Sequence, residues 1–401
     1  MPVARVYLLV AVGLLLGACA PAAAPAPPTS APAPVAPTAA PKPTTAPAAP
    51  TAPAAATAPA AAPTAAPTSA AAAKPTTAAA QAAAAKQPPE VKQIEIWAVK
   101  DPQEAAQIAL ADALGYYKEE GLDATVKWIV SGTDMPSLAA SGQVNFYGEG
   151  NFTNAILRDK GVDMRYVVRT ADISGTQSFV LGPNAKVSAP KDLEGKKVGM
   201  AAGAGVSVAI ANMAKQYGID YSKIQFVNLQ PPDQAPALAR GDIDAMAVWE
   251  PWSLAGRKLG GKVYFTGNRS YVEGAEKQVP WLYLDSGINV KGDFMDKNPN
   301  TVKAVMRAIM RATDYINSNP IEKSAAALSP ALEVPAEDLA TIMKENIYSN
   351  EWDQRAVDGS NEFIKWGADL KYVSKPIDVK EVTDFRYLKE LAPDKIKVPG
   401  Y

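Results

Sequence analysis

The sequence predicts an α/β protein of two lobes, preceded by a long disordered segment. Composition changes near residue 92, where a stretch made almost entirely of Ala, Pro and Thr gives way to alternating apolar and polar residues. Strand-like and helix-like segments then alternate, and a second series of them begins near Pro190. Alternation of this kind, with elements of modest length, indicates α/β lobes with a largely parallel sheet.

The N-terminal segment is typical of an exported protein. Arg5 precedes an apolar run from Val6 to Leu16, which is too short to span a bilayer and fits the core of a signal peptide. The run ends in the sequence LGAC at 16–19, which resembles the lipobox of bacterial lipoproteins. We therefore expect residues 1–18 to be a signal peptide and Cys19 to carry a lipid that anchors the protein to the outer face of the cell membrane. The alternative is an uncleaved anchor.

Residues 19–91 are predicted to form a disordered linker. A segment rich in Ala, Pro and Thr buries too little apolar surface to offset the entropy of ordering it. Its repeated Ala-Pro steps favour extended polyproline II conformations. The linker would therefore hold the folded part near the membrane, and no binding residue is expected before Ile94.

The composition of the whole chain excludes several classes of function. The 40 basic and 41 acidic residues provide no basic excess for nucleic acid. The chain has no histidine and one cysteine, so it lacks the commonest general base, the commonest metal ligand and a spare thiol. No catalytic residue, metal or cofactor is predicted, and binding is favoured over catalysis. An exported enzyme that uses carboxylates such as Glu149 and Glu250 remains an alternative.

The elements of the folded part follow from hydrophobic periodicity and from turn residues. In the first series we expect a strand at 94–99, a helix at 102–118, strands at 124–130 and 144–147, and a helix from 151. In the second we expect a strand that ends at 200, a helix at 208–217, a strand at 224–229, a helix at 231–240 and a strand that ends at 249. A strand at 282–290 then crosses back, followed by helices near 299–318, 335–346, 353–369 and 378–391.

Binding residues are expected where strands end and helices begin, because backbone N–H groups and helix dipoles point outward there. The small-residue turn at 202–207 would let a ligand approach the backbone, although it also fits an ordinary tight turn. It lacks the Lys-Ser/Thr ending of a phosphate-binding loop. The polar and small residues selected at these turns are Thr133, Gly148, Asn151, Gly205 and Ser207.

Aromatic residues cluster at the same places. Trp97, Tyr147 and Trp249 lie at or near strand ends, and Trp281 follows in a segment between the lobes. Each alone fits a core position, but together they suggest a cleft that encloses a flat ring. No cluster of Arg or Lys accompanies them, which argues against a multiply charged anion. Two roles stay open for Glu250: contact with an N–H or cationic group of the ligand, or a salt bridge across the hinge.

Several motifs resemble one family. They are DLEGKKVG at 192–199, RGDIDA at 240–245, WEPW at 249–252, EGLD at 120–123 and ASGQVNF at 140–146. Over about residues 92–320 the chain resembles the substrate-binding proteins of ABC importers for nitrate, taurine, aliphatic sulfonates and thiamine-precursor pyrimidines. The resemblance implies a type II periplasmic-binding-protein fold, with lobe 1 at 92–181 plus 284–401 and lobe 2 at 182–283. It also implies a monomeric receptor with a small-molecule ligand and separate permease and ATPase chains as partners.

Departures from the family's pattern narrow the ligand. The absence of histidine argues against the chemistry of the pyrimidine-synthesising relatives, and the turn at 202–206 lacks the hydroxyl groups that sulfonate binders place there. A flat, uncharged heterocycle fits better, and the riboflavin-binding lipoprotein branch is the best match. A thiamine-precursor pyrimidine, an aliphatic sulfonate and nitrate are the alternatives. The linker alone would also fit a structural or adhesive surface lipoprotein without a ligand.

Overall fold

Two mixed β-sheets organise residues 86–272, 274 and 276–401, which this computed structural model describes. The predicted signal peptide, Cys19 and the linker up to residue 85 lie outside the described residues. In chain order the strands are β1 (Gln93–Val99), β2 (Asp123–Ile129), β3 (Phe146–Gly148), β4 (Met164–Asp172), β5 (Gln177–Leu181), β6 (Lys197–Met200), β7 (Gln225–Asn228), β8 (Ala245–Trp249), β9 (Lys262–Thr266), β10 (Arg269–Ser270), β11 (Lys277–Gln278), β12 (Asp285–Lys291) and β13 (Ile347–Tyr348).

Helices cover the sheets. In chain order they are α1 (Ala106–Ala113), α2 (Tyr116–Glu119), α3 (Met135–Ala140), α4 (Asn151–Asp159), α5 (Val206–Gln216), α6 (Pro231–Arg240), α7 (Trp252–Lys258), α8 (Gly292–Lys297), α9 (Pro299–Ser318), α10 (Ile321–Leu332), α11 (Ala336–Met343), α12 (Gln354–Asp369) and α13 (Arg386–Leu391). No helix among the described residues is both long and apolar enough to cross a membrane.

The sheets are mixed, whereas the sequence pattern indicated largely parallel ones. The first has the order β13-β4-β12-β3-β1-β2, and the second has the order β11-β10-β9-β5-β8-β6-β7. Strands β1, β2 and β3 are parallel, and so are β6, β7 and β8. The antiparallel members β5 and β12 are the strands that receive the chain from the other sheet. The parallel strands of each sheet end at the edge that faces the cleft. Strands β5 and β12 begin at that edge, so they run in the opposite direction.

The first crossing between the sheets differs from the sequence-based boundary at residue 181. Strand β5 pairs with β8 and β9 in the second sheet, so Gln177–Leu181 belongs to lobe 2. The crossing therefore lies between β4 and β5, at residues 173–176. The second crossing leads into β12, which pairs with β3 and β4 in the first sheet. The hydrophobic run of β5 fits a buried strand of either sheet, which is why periodicity could not place it.

Two predicted helices are shorter or broken. The expected helix at 102–118 is divided into α1 and α2, because Gly115 adopts a left-handed φ of 75° between them. The expected helix at 378–391 begins only with α13, since the chain before it pairs with β4: the Tyr166 N–H donates to the Val382 carbonyl at 2.8 Å. Trp352 is fully buried, and its ring lies edge-on to Phe385.

Candidate ligand-binding site

A cavity of about 440 Å³ lies between the two lobes. Its first-lobe wall comes from the turns that follow β1, β2 and β3 and from one face of α4, and its second-lobe wall from the turn at 202–205 and from Trp249. The volume falls in the range of about 300–1,000 Å³ that is common for small-molecule sites. We call this cavity the cleft.

Three carboxylates line the first-lobe wall of the cleft: Asp101, Glu104 and Glu149, which we call the acid pocket. Asp101 follows β1, and its Oδ1 atom accepts hydrogen bonds from the backbone N–H groups of Gln103 and Glu104 at 2.9 and 2.8 Å. This turn fixes the Asp101 carboxyl and brings the Glu104 side chain to the same wall. Asp101 is 1% exposed and Glu104 is 9% exposed.

Glu149 comes from the turn between β3 and α4. Its Oε2 atom accepts a hydrogen bond from the Thr153 hydroxyl at 3.1 Å, one helical turn further along. The other oxygen lies against Gly132, in the turn that follows β2, so closely that a Cβ atom at position 132 would overlap the carboxyl group. Glycine at 132 therefore leaves room for the Glu149 carboxyl in the cleft wall.

Burial raises the pKa of each carboxyl in the acid pocket. Desolvation brings the pKa of Asp101 to about 7. The backbone N–H groups of Gln103 and Glu104 and the nearby Trp249 side chain act in the opposite direction and lower it. Desolvation and the nearby Asp101 bring the pKa of Glu149 to about 7, although the Thr153 hydrogen bond opposes the rise. The pKa of Glu104 is raised well above its usual range by desolvation and by the charge of Glu149.

Apolar side chains complete the walls. Phe152 and Ile156 lie on the cleft face of α4, and Phe363 of α12 packs against Phe152 with ring centroids 4.6 Å apart. Trp249, at the end of β8, faces them from the second lobe and is 8% exposed. A flat or aliphatic group could therefore be covered on two sides by aromatic rings.

The second-lobe turn approaches the first lobe closely. Gly203 has a left-handed φ of 86°, and a methyl group added there would lie 3.7 Å from Cε1 of Tyr372 in the first lobe. A similar group at Gly205 would lie 3.4 Å from Cζ of Phe363. Small residues at 202–205 thus allow the backbone of the second lobe to reach the first-lobe aromatic residues, which narrows the cleft.

Gln103 ties the lobes together behind the cleft. Its Nε2 atom donates to the Glu250 carbonyl at 2.8 Å, and its Oε1 atom accepts from Nε2 of Gln177 at 2.9 Å. The Thr176 hydroxyl also donates to this oxygen. These contacts connect the turn after β1 to the first crossing and to the end of β8, so the position of the acid pocket is coupled to the arrangement of the lobes.

Three of the predicted binding residues line the cleft: Thr133, Gly205 and Trp249. Four others from the first lobe lie beside it. Trp97 packs on the other face of β1, against the small core of α3 and α4. The Tyr147 hydroxyl donates to Asn154, and Gly148 allows β3 to pack against α1. The Asn151 amide donates to Ser360 at 2.7 Å and joins α4 to α12.

The remaining second-lobe candidates also lie outside the cleft lining. The Ser207 hydroxyl donates to the Ala204 carbonyl within the first turn of α5. Glu250 accepts from Arg257 at 2.6 Å and from the Leu254 N–H at 2.9 Å, so it stabilises the start of α7 rather than bridging the hinge. Trp281 is buried in the second lobe, where its indole N–H donates to Gln216 at 2.8 Å.

Sequence reasoning did not select Asp101 and Glu104, and it considered Glu149 only for catalysis. A signal was available, since an Asp-Pro step at 101–102 follows the buried end of β1 with one residue between them. Trp97 was selected because it lies near the end of β1, but it packs against the small core of α3 and α4 and does not line the cleft. Phe363 and Tyr372 lie more than 200 residues after Glu149 in the chain, and no local sequence pattern connects them to this site.

The profile of the family described as "NMT1/THI5 like" matches residues 103–323. The chain belongs to the NMT1/THI5-like family. The taurine-binding periplasmic protein of Escherichia coli (strain K12) is 28% identical over 266 residues, 65% of this chain and 79% of that protein. The 4-amino-5-hydroxymethyl-2-methylpyrimidine phosphate synthase THI12 of Saccharomyces cerevisiae is 25% identical over 228 residues, 54% of this chain and 64% of that protein. The family predicted from the motifs is therefore confirmed.

Solved structures of the same fold are available. The alkanesulfonate-binding protein SsuA from Xanthomonas axonopodis pv. citri bound to MOPS superposes with a TM-score of 0.62 at 15% identity. The match covers 74% of this chain and 99% of that one. This likeness confirms the predicted α/β periplasmic-binding-protein fold, in which two lobes enclose a cleft.

Proposed function

We propose that this protein is the substrate-binding receptor of an ABC importer, which encloses a small organic molecule in the cleft and delivers it to a membrane permease. The observation that carries the proposal is the cavity of about 440 Å³ between two lobes, walled by aromatic side chains and by close-approach glycines. Ligand binding would shift an equilibrium between open and closed arrangements of the lobes. The permease and the ATPase would be separate chains, and the receptor a monomer.

Riboflavin is the ligand that the aromatic residues of the sequence favoured. Its fluorescence provides a direct test, because stacking on Trp249 would quench it. We expect quenching at micromolar concentrations of the full-length chain if riboflavin is the ligand. No quenching at that concentration would reject riboflavin without rejecting the receptor function. Sulfonates, nitrate and a thiamine-precursor pyrimidine are the alternatives that the family suggests.

Cys19 is proposed as the lipid attachment site, which would keep the receptor near its permease. A tether of this kind raises the effective concentration of one partner around the other. The variant Cys19→Ala should move the protein from the membrane fraction to the soluble fraction. A variant that remains in the membrane fraction would contradict lipidation at this residue and point to an uncleaved anchor.

An enzymatic role is the second candidate, since one relative is a synthase and the cleft contains carboxylates with raised pKa values. Catalysis would require turnover of a bound compound, and Glu149→Gln would then lower the rate while binding persists. The receptor proposal predicts the reverse: no turnover of the bound compound, and weaker binding in the variant. Mass spectrometry of a bound compound before and after incubation separates the two.

A further inference from the structure

Two buried oxygen atoms of the acid pocket lack hydrogen-bond partners. They are Oδ2 of Asp101 and Oε2 of Glu104, which find no donor among the residues that the structure describes. Nearly all buried polar atoms in folded proteins are paired, so each unpaired one calls for an explanation. Both side chains line the cleft, where a ligand would supply the missing donor.

The acid pocket is also without an internal counter-charge. None of the ion pairs in the described part of the chain involves Asp101, Glu104 or Glu149. The only basic side chains in the described lining are Lys160 and Lys371, and both are exposed. Neither lysine forms an ion pair with a carboxylate of the acid pocket in the described part of the chain, and the charge of an exposed ammonium group is screened by solvent.

Three carboxylates without a counter-charge are costly in a site of low polarity. Their raised pKa values have this cause, because desolvation is the largest contribution for each of them. A positive charge that enters the cleft would reverse the effect and favour the ionised carboxylates.

The surroundings favour an organic cation over a metal ion. Among the described residues, no group of three or more carboxylates is arranged to hold a metal. The walls opposite and beside the acid pocket consist of Trp249, Phe152 and Phe363, and aromatic faces attract ammonium groups and cover apolar parts of a ligand.

We propose that the acid pocket binds a positively charged nitrogen group of the transported molecule, so that the receptor selects small organic cations or zwitterions rather than simple anions. Asp101, Glu104 and Glu149 would accept hydrogen bonds from this group, and the aromatic walls would hold the rest of the molecule. The inference rests on the proposed receptor function and specifies its ligand class. It disagrees with riboflavin, which is uncharged, and with nitrate, which lacks any cationic group.

Binding to the full-length chain at pH 7.5 tests the inference with probes of each charge class. We would use agmatine and putrescine as cations, taurine as a zwitterion, riboflavin as an uncharged compound, and nitrate and ethanesulfonate as anions. Isothermal titration of wild type should detect binding in the first two classes. Glu104→Gln and Glu149→Gln should each weaken it by about 30-fold or more, since one partner of a buried charge pair is lost. Glu362→Gln is the matched control, because Glu362 lies exposed on α12 beside Phe363 and should bind as wild type does.

Compounds that co-purify with the wild-type chain complete the test and are identified by native mass spectrometry. A bound compound with a basic nitrogen, lost in the Glu104→Gln and Glu149→Gln variants, supports the inference. Binding of riboflavin, nitrate or ethanesulfonate that both variants retain would overturn it and leave the receptor function intact. If no compound co-purifies and no probe binds, both the inference and the receptor function are rejected.

Discussion

Glu149 in the first lobe and Glu250 in the second occupy equivalent positions, each in the turn between a strand and the next helix. Glu250 is neutralised within its own lobe by Arg257, and the Leu254 N–H satisfies its second oxygen. Glu149 has only the neutral hydroxyl of Thr153 as a side-chain partner in the described structure. Glu250, which is neutralised by Arg257, therefore stabilises the structure of the second lobe. Glu149, which has no such partner among the described residues, lies in the wall of the cleft.

The contrast extends to the two walls. The first-lobe wall carries the acid pocket, and the second-lobe wall consists of the uncharged turn at 202–205 and of Trp249. We infer that the first lobe recognises the charge of the ligand. The second lobe contributes apolar contact, and the small residues of its turn at 202–205 allow the two lobes to approach each other closely. Five predictions follow from this division, and the largest effect is expected at the acid pocket.

The double variant Glu104→Gln/Glu149→Gln should weaken binding of a cationic ligand more than either single variant does, by about 100-fold or more, because both changes remove charge from one desolvated site where the two losses need not add. Titration calorimetry with agmatine, or with the compound that co-purifies with the wild-type chain, measures the effect. The variant should fold, since the amides keep the shape of the carboxyls. Retention of wild-type affinity would show that the first-lobe wall does not recognise charge.

Trp249→Ala should weaken binding by ~1–3 kcal/mol through lost burial and ring contact. If the second lobe contributes only apolar contact, the loss should be the same for cationic and uncharged analogues of the ligand. Urea unfolding is the control, because Trp249 also packs against the second-lobe core. A loss confined to cationic analogues would mean that the second lobe also senses charge, and unchanged affinity would remove Trp249 from the site.

Affinity for a cation should rise by about tenfold between pH 6 and pH 8, because the carboxyls must lose protons to bind it. The groups around the acid pocket are Asp285 behind it, Arg169 beside Asp285, and Lys160 and Lys371 in the lining. Of these, Asp285 also has a pKa of about 7, and Arg169 opposes its rise. An affinity that is constant over this pH range would contradict the raised pKa values.

The stability of the ligand-free protein should respond to pH in the opposite sense. The pKa of Glu149 is about 7 in the folded state and about 4 in the unfolded chain, so the folded state holds more protons between these values. This contribution to stability is present below pH 4 and is lost as the pH rises through 7. The unfolding midpoint of Glu149→Gln relative to wild type should therefore increase from pH 5 to pH 8, measured after ligand is removed by refolding from guanidinium.

Gly203→Ala should have the smallest effect on binding, although the free energy of unfolding should fall by about 1–2 kcal/mol because the φ of 86° at this position is unfavourable for alanine. The added methyl group would make ordinary contact with Tyr372, so affinity for the ligand should change little. Urea unfolding and titration of the same sample separate the two quantities. A large loss of affinity would show that this turn does more than permit closure.

Much of the fold could be predicted because strands and helices follow from local periodicity. Helices α6, α9 and α12 lie within a residue of the predicted ranges, and β1, β2 and β8 lie where alternation and turn residues indicated. Strand β5 was assigned to the wrong lobe, because the apolar pattern of a buried strand does not show which of two sheets it joins. The turns that line the cleft after β1, β2 and β3 were also identified from the sequence.

The sequence by itself determined the α/β class, the family and the turns from which a site would be built, since these depend on residues near each other in the chain. It also determined that histidine and thiol chemistry are absent from the site. Only the tertiary structure decided which side chains enter the cleft. Trp97 packs against the small core of α3 and α4, Glu250 pairs with Arg257, and the distant Phe363 and Tyr372 complete the cleft wall. These outcomes depend on contacts between residues far apart in the chain, which no local pattern specifies.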